Sequence, residues 1–197
     1  MSIAYLAYSE RSGNCDYYFH SYYHTQAAPI ISLTLDPQES LNCDLRIAAR
    51  EGNAPRTLHL LSLGAKINGV SDDGQSALMI ASETCNVQVG RLLLSKGAQL
   101  GLRDKYGRTA LIYASMDSCS PMISTMTSLS GSEIRAQDKS GRSALDYARE
   151  GASLYEEGAP VDSVRLLKRA LKLNSLHPKH EHSRNAHRQV KSPVKHS

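Results

Sequence analysis

One block of residues recurs along this 197-residue chain at a nearly constant interval. Its clearest copy is Asp104-Lys105-Tyr106-Gly107-Arg108-Thr109-Ala110-Leu111-Ile112-Tyr113-Ala114-Ser115. Upstream stands Asp72-Asp73-Gly74-Gln75-Ser76-Ala77-Leu78-Met79-Ile80-Ala81-Ser82, and downstream Asp138-Lys139-Ser140-Gly141-Arg142-Ser143-Ala144-Leu145-Asp146-Tyr147-Ala148-Arg149. A worn copy without the turn lies at Cys43-Asp44-Leu45-Arg46-Ile47-Ala48-Ala49. The equivalent leucines, Leu45, Leu78, Leu111 and Leu145, are separated by 33, 33 and 34 residues. A period of that size marks a stacked array, in which each unit buries its apolar face against its neighbours rather than within itself.

The chemistry of the block predicts what each unit does. Gly74, Gly107 and Gly141 stand where a tight turn needs positive φ. Ser76, Thr109 and Ser143 follow two residues later, each with a hydroxyl suited to capping a new helix. A small residue, a leucine to bury and an alanine for close helix packing come next. Each unit therefore reads as turn, short helix and second helix. The chain resembles the ankyrin-repeat family, in which this run is Asp-x-x-Gly-x-Thr-Pro-Leu-His-x-Ala-Ala and the repeat is 33 residues long. The resemblance covers about residues 38–173 and implies an all-α solenoid of about four helix-turn-helix repeats. It departs from the family at the proline, replaced by Ala77, Ala110 and Ala144, and at the histidine, replaced by Met79, Ile112 and Asp146. Loss of the histidine implies loss of its hydrogen bonds between neighbouring turn tips, and a less rigid array.

Three segments are expected: an aromatic N-terminal cap over 1–37, repeats at about 38–70, 71–103, 104–137 and 138–173, and a basic tail over 174–197. The first 35 residues hold six of the ten tyrosines and the single phenylalanine. They read as a cover for the exposed edge of the first unit, or alternatively as an aromatic recognition segment. Asp36 and Pro37 suit a helix start, with Glu39 completing a capping box. Leu58, Leu60, Leu61 and Leu63 are read as the apolar side of the first outer helix, which ends at Gly64. Val87, Val89, Leu92, Leu93 and Leu94 serve the second, and Met122, Ile123, Met126 and Leu129 the third, whose many Ser and Thr residues mark the softest unit. Extra residues interrupt the fourth unit between Gly151 and Pro160. Its last helix carries Val161, Val164, Leu167 and Leu171 inward, with Lys168, Arg169 and Lys172 toward solvent. The tail, with five of the eight histidines, reads as disordered.

No run approaches the roughly 18 apolar residues of a membrane span, and the N-terminus lacks the pattern of a secretory signal. The four cysteines, Cys15, Cys43, Cys85 and Cys119, show no Cys-x-x-Cys spacing. They are expected to be reduced thiols in an intracellular, cytoplasmic setting. A nuclear location or delivery into a host cell stays open. No phosphate-binding loop, zinc-protease motif or serine-hydrolase elbow is present, so neither an enzyme nor a cofactor is expected. Cys15, His20 and His24 fall short of a zinc set, and no metal site is assigned. His177, His180 and His182 suit at most an incidental metal contact.

The resemblance places function on a concave surface of turn tips and inner helices that grips a partner protein. Carried onto this sequence, the candidate contact residues are Asp72, Asp73 and Gln75; Lys105, Tyr106 and Arg108; Lys139, Ser140 and Arg142; and, on the inner helices, Glu83, Thr84, Met116 and Asp117. Lys105, Arg108, Lys139 and Arg142 would align one repeat apart, with Arg103 and Arg135 just before them. That alignment favours an acidic partner. The expected function is a monomeric protein–protein interaction adaptor. A nucleic-acid-associated or regulatory protein acting through basic fingers and tail is a second reading, and an inhibitor occluding an enzyme is a third.

Overall fold

The computed structural model describes residues 37–129, 133–154 and 161–176. The tyrosine-rich segment, Asp36 and the histidine-rich tail from 177 onward lie outside the described residues. Among those described there are eight α-helices: α1 (Pro37–Arg50), α2 (Ala54–Ser62), α3 (Ala77–Glu83), α4 (Val87–Ser95), α5 (Ala110–Met116), α6 (Ser120–Leu129), α7 (Ala144–Leu154) and α8 (Val161–Leu176). A short 3-10 turn spans Glu133–Arg135. Helices α1, α3, α5 and α7 pack side by side as an inner row, and α2, α4, α6 and α8 lie behind them as an outer row.

The repeated motif builds this arrangement as its chemistry requires. Ser76 Oγ accepts the Met79 amide and Thr109 Oγ1 the Ile112 amide, capping α3 and α5. The fourth copy caps by a different route. The Asp146 carboxylate accepts both the amide and the hydroxyl of Ser143, at 2.9 and 2.6 Å, the reaching-back half of a capping box. These bonds hold Asp146 below the usual carboxylate range. Asp146 occupies the family's histidine position, so the substitution gains a cap there.

Leu45, Leu78 and Leu111 are buried to within 2% of complete, with alanines beside them at the contact between inner helices. Leu145 is only half-buried. Gly90 on α4 makes room for Met122 of α6: a Cβ at residue 90 would meet the Met122 sulfur at 2.7 Å.

Several expectations are corrected. Leu58, Leu63 and Leu129 are 47%, 54% and 59% exposed, so the outer helices bury narrower stripes than their leucines suggest. Their neighbours Leu60 and Met126 carry the packing instead. Helix α7 runs eleven residues where α3 and α5 run seven, carrying the inner row on to Leu154. Helix α8 continues to Leu176, into the stretch assigned to the tail, and it buries Leu167 while exposing Lys168, Arg169 and Lys172. In the Ser/Thr-rich α6, Thr125 and Thr127 bond back to the Pro121 and Ile123 carbonyls at 2.8 Å, so these hydroxyls are satisfied within the helix.

The thiols differ most from expectation. Cys85 and Cys119 form a disulfide with their Cα atoms 5.6 Å apart, and Cys43 is disulfide-bonded as well. The period explains the first pair. Cys85 and Cys119 are 34 residues apart, so stacking one unit on the next brings their loops together.

Candidate functional site at the turn tips

Each turn closes on itself before it meets its neighbour. Asp104 N–H donates to the Arg108 carbonyl at 3.1 Å, and Gly107 N–H to the Asp104 carbonyl at 2.9 Å. Ser71 with Gln75 and Asp138 with Arg142 repeat the closure at 3.0 Å. One carboxylate oxygen of Asp104 accepts the amides of Tyr106 and Arg108, and Asp138 does the same for Ser140 and Arg142. Such Asp-centred turns are rigid because the side chain satisfies amides that the bend leaves open.

Main-chain bonds then join one finger to the next. Lys105 N–H donates to the Asp73 carbonyl at 2.7 Å, and Lys139 N–H to the Tyr106 carbonyl at 2.8 Å. Gly74 permits the first approach: at φ 79°, a Cβ there would stand 2.9 Å from the Asp104 Cα. A side-chain chain reinforces it, Gln75 Nε2 donating to Tyr113 Oη at 2.9 Å and Tyr113 Oη to Asp104 at 2.7 Å. Tyr147 donates to Asp138 in the same way, at 2.7 Å. The middle finger is therefore joined to the one before it without the family's histidine, by Tyr113 two residues after Leu111, while Tyr147, two residues after Leu145, braces Asp138 within its own unit. Sequence reasoning passed over both tyrosines.

On this frame sits an aromatic flanked by cations. Tyr106 is 50% exposed at the tip of the middle finger. The Arg108 guanidinium lies 4.8 Å from its ring centre and the Lys105 ammonium 5.1 Å. Lys105 also bonds Asp73 of the preceding finger at 2.8 Å, which holds its ammonium above the usual lysine range. Asp73, Lys105, Tyr106, Arg108 and Lys139 are thus brought to one place. Lys139, Asp72 and Arg135 are exposed.

Other candidates serve the scaffold. Gln75 is spent on Tyr113, and Ser140 Oγ on Asp138 at 2.7 Å. Arg142 stacks over Tyr147 at 4.2 Å and pairs with Glu150 at 3.3 Å. Arg103 donates to the Gly107 and Gln137 carbonyls, at 3.1 and 2.6 Å, clamping two fingers together. Met116 and Asp117 are exposed at the far end of α5, with Glu83 and Thr84 in the matching place on α3. The seven-residue α5 separates them from the tips by about 10 Å. Burial raises the Asp117 pKa. No group of three or more metal-binding side chains is assembled among the described residues.

Short paired helices stacked at a 33-residue period, with turn tips zipped edge to edge, define a helical-repeat solenoid. Residues 45–138, a little under half of the chain, match the family model described as ankyrin repeats (3 copies), and the fold of that stretch is an ankyrin-repeat array. A protein of Treponema pallidum (strain Nichols) named as ankyrin repeat-containing is 42% identical over 71 residues, 36% of this chain and 24% of that one. Human transient receptor potential cation channel subfamily A member 1 is 42% identical over 53 residues, 27% of this chain and 5% of the channel. The chain thus spans a quarter or less of either relative. No described helix is long and apolar enough to cross a membrane.

Proposed function

We propose that this chain is an adaptor that binds a partner protein along its fingers, with the Tyr106 tip as the energetic centre. Ankyrin repeats are generally protein–protein interaction modules. The observation that supports the finer reading is the exposed Tyr106 ring, held between Lys105 and Arg108 on a finger bonded through its main chain to both neighbours. A large aromatic fixed in place loses little entropy on binding, and Tyr with Arg dominates interface hot spots. Lys139 beside it extends the positive surface toward an acidic segment of the partner. Asp73 and Glu150 already neutralise Lys105 and Arg142, so Arg108 and Lys139 supply more of the attraction. Glu83 and Asp117 at the inner-helix ends set the opposite sign, which orients a partner bearing both charges.

In this reading the repeats occupy about 38–173 of an intracellular monomer, with the aromatic segment before them and the basic tail after. The test compares affinity capture by the native chain and by a Tyr106→Ala, Arg108→Ala, Lys139→Ala variant, matched in circular dichroism and melting. A protein bound by the native chain and lost by the variant supports the finger site. One retained equally by both moves the site elsewhere on the chain. Salt dependence of a captured nucleic acid with a steep slope would replace the protein reading altogether.

A further inference from the structure

Seven residues after Leu45, Leu78 and Leu111, the loop between inner and outer helix turns through positive φ. Gly52 (φ 69°) holds this place in the first unit, Cys85 (φ 53°) in the second and Ser118 (φ 52°) in the third. Glycine adopts that conformation freely, whereas a Cβ-bearing residue is disfavoured in it. A cysteine in the glycine position therefore carries a local cost that packing does not explain. Such outliers concentrate where the residue has a task.

These loops are also where adjacent units are tied together. Asn86 Nδ2 donates to the Ala49 and Arg50 carbonyls, at 3.0 and 2.8 Å, linking the first unit to the second. Ser163 Oγ meets Ser120 Oγ at 2.9 Å and donates to the Ser118 carbonyl at 3.3 Å, linking the third to the fourth. Between the second and third, the tie is the Cys85–Cys119 disulfide. Its two sulfurs are unequally placed. Cys85 is an exposed residue, while Cys119 is 3% exposed and immediately precedes α6, whose Met122 and Ile123 amides donate to its carbonyl.

We propose that Cys85 is a thiol-modification site: a small-molecule thiol opens the Cys85–Cys119 clasp by attack at the Cys85 sulfur. The incoming thiolate forms a sulfur–sulfur bond to Cys85 as the Cys85–Cys119 bond breaks. The electron pair leaves on Cys119 Sγ, which then takes a proton from water. The departing thiolate forms at the N-terminal, positive end of the α6 dipole. A second thiol displaces Cys85 from the mixed disulfide, so two thiols are oxidised to one small-molecule disulfide and the protein disulfide is reduced to a dithiol. The same small-molecule disulfide reverses both steps. Opening removes the covalent tie between the second and third units while the hydrogen-bonded ties on either side remain. The strength of that interface then follows the redox state around it.

The experiment uses the full chain, equilibrated in buffers of graded reduced and oxidised glutathione and quenched with N-ethylmaleimide. Peptide mass mapping then reads Cys85 and Cys119 separately, because Arg91 allows cleavage between them. The expected result is a Cys85–Cys119 cross-linked peptide under oxidising buffer. At intermediate buffers a glutathionyl adduct appears on Cys85 with maleimide on Cys119. Amide hydrogen exchange over 84–92 and 117–123 is expected to speed about tenfold or more on opening, with 54–62 unchanged. Cys85→Gly, which suits the positive φ, should keep the helical content and exchange like the opened protein. An adduct on Cys119 in place of Cys85, absence of the cross-linked peptide under oxidising buffer, or a Cys85→Gly chain exchanging like the oxidised one overturns the proposal.

Discussion

Tyr113 donates its hydroxyl to Asp104, nine residues earlier, at 2.7 Å, while Gln75 of the preceding finger donates to the same hydroxyl at 2.9 Å. Tyr147 donates to Asp138 across the same nine residues, within its own unit. The second unit has Ser71 and Ile80 at the equivalent places, so carboxylate and phenol are absent together. The pair acts as one device for closing a turn, and at Tyr113 the bond from Gln75 also joins that turn to its neighbour. Tyr113→Phe leaves Asp104 short of a donor and Gln75 short of an acceptor. A loss of about 1–3 kcal/mol in urea unfolding is expected, and an unchanged midpoint would refute this role.

Gly74 and Gly141 share φ 79° but differ in surroundings: a Cβ at Gly141 meets nothing within 4 Å, whereas one at Gly74 meets the Asp104 backbone at 2.9 Å. Gly141→Ala should cost only the left-handed backbone term, about 1–2 kcal/mol. Gly74→Ala should cost more, because the fingers must also part. Equal losses in a paired denaturation experiment would mean that the close approach contributes nothing.

The two tyrosine–aspartate pairs make opposite ends of the pH scale destabilising. Burial works against the Asp138 charge, but bonds from Tyr147, Ser140 and Arg142 outweigh it and bring its pKa to about 2. The unfolded chain then binds more protons below the ordinary value of 3.8, so stability falls as pH drops from about 4 toward 2. Burial, with the Asp104 carboxylate adding to it, raises Tyr113 from 10.0 to about 12. Its contribution is complete below pH 10 and is lost as pH rises through about 12. Melting across pH should show both limbs, with Asp138→Asn flattening the acid one and Tyr113→Phe the alkaline one.

Leu111 is 2% exposed between neighbouring inner helices, and Leu129 is 59% exposed on α6. Leu111→Ala should cost about 2–5 kcal/mol. Leu129→Ala should stay within about 0.5 kcal/mol. Equal losses at the two positions would refute the placement of the core.

The repeat and its turns were legible because they follow local rules: a period, a glycine at positive φ, a hydroxyl before a short helix. Burial on the outer helices was less so. Helical spacing groups Leu58, Leu60, Leu61 and Leu63, but neighbouring units decide how much of that group is covered. The tyrosine–aspartate pairs did leave a signal, since Asp104 with Tyr113 and Asp138 with Tyr147 are both nine apart. The disulfide left one too, at 34 residues, one step beyond the 33-residue period. The absence of a Cys-x-x-Cys spacing, read as a sign of reduced thiols, masked it. At the candidate site, the sequence aligns cations in adjacent fingers, but only coordinates tell that Arg103 and Arg142 spend their charge inside the array while Lys139 stands outside it.

The bonds from Lys105 to Asp73 and from Lys139 to Tyr106 run between main-chain atoms, which substitution at the tips does not replace. Spacing and content are thereby separated. The distance from one finger to the next is set by groups common to nearly every amino acid, and what each finger presents is set by side chains that do not hold that distance. Recognition on this array can be rewritten one residue at a time, on a scale whose divisions stay where they are.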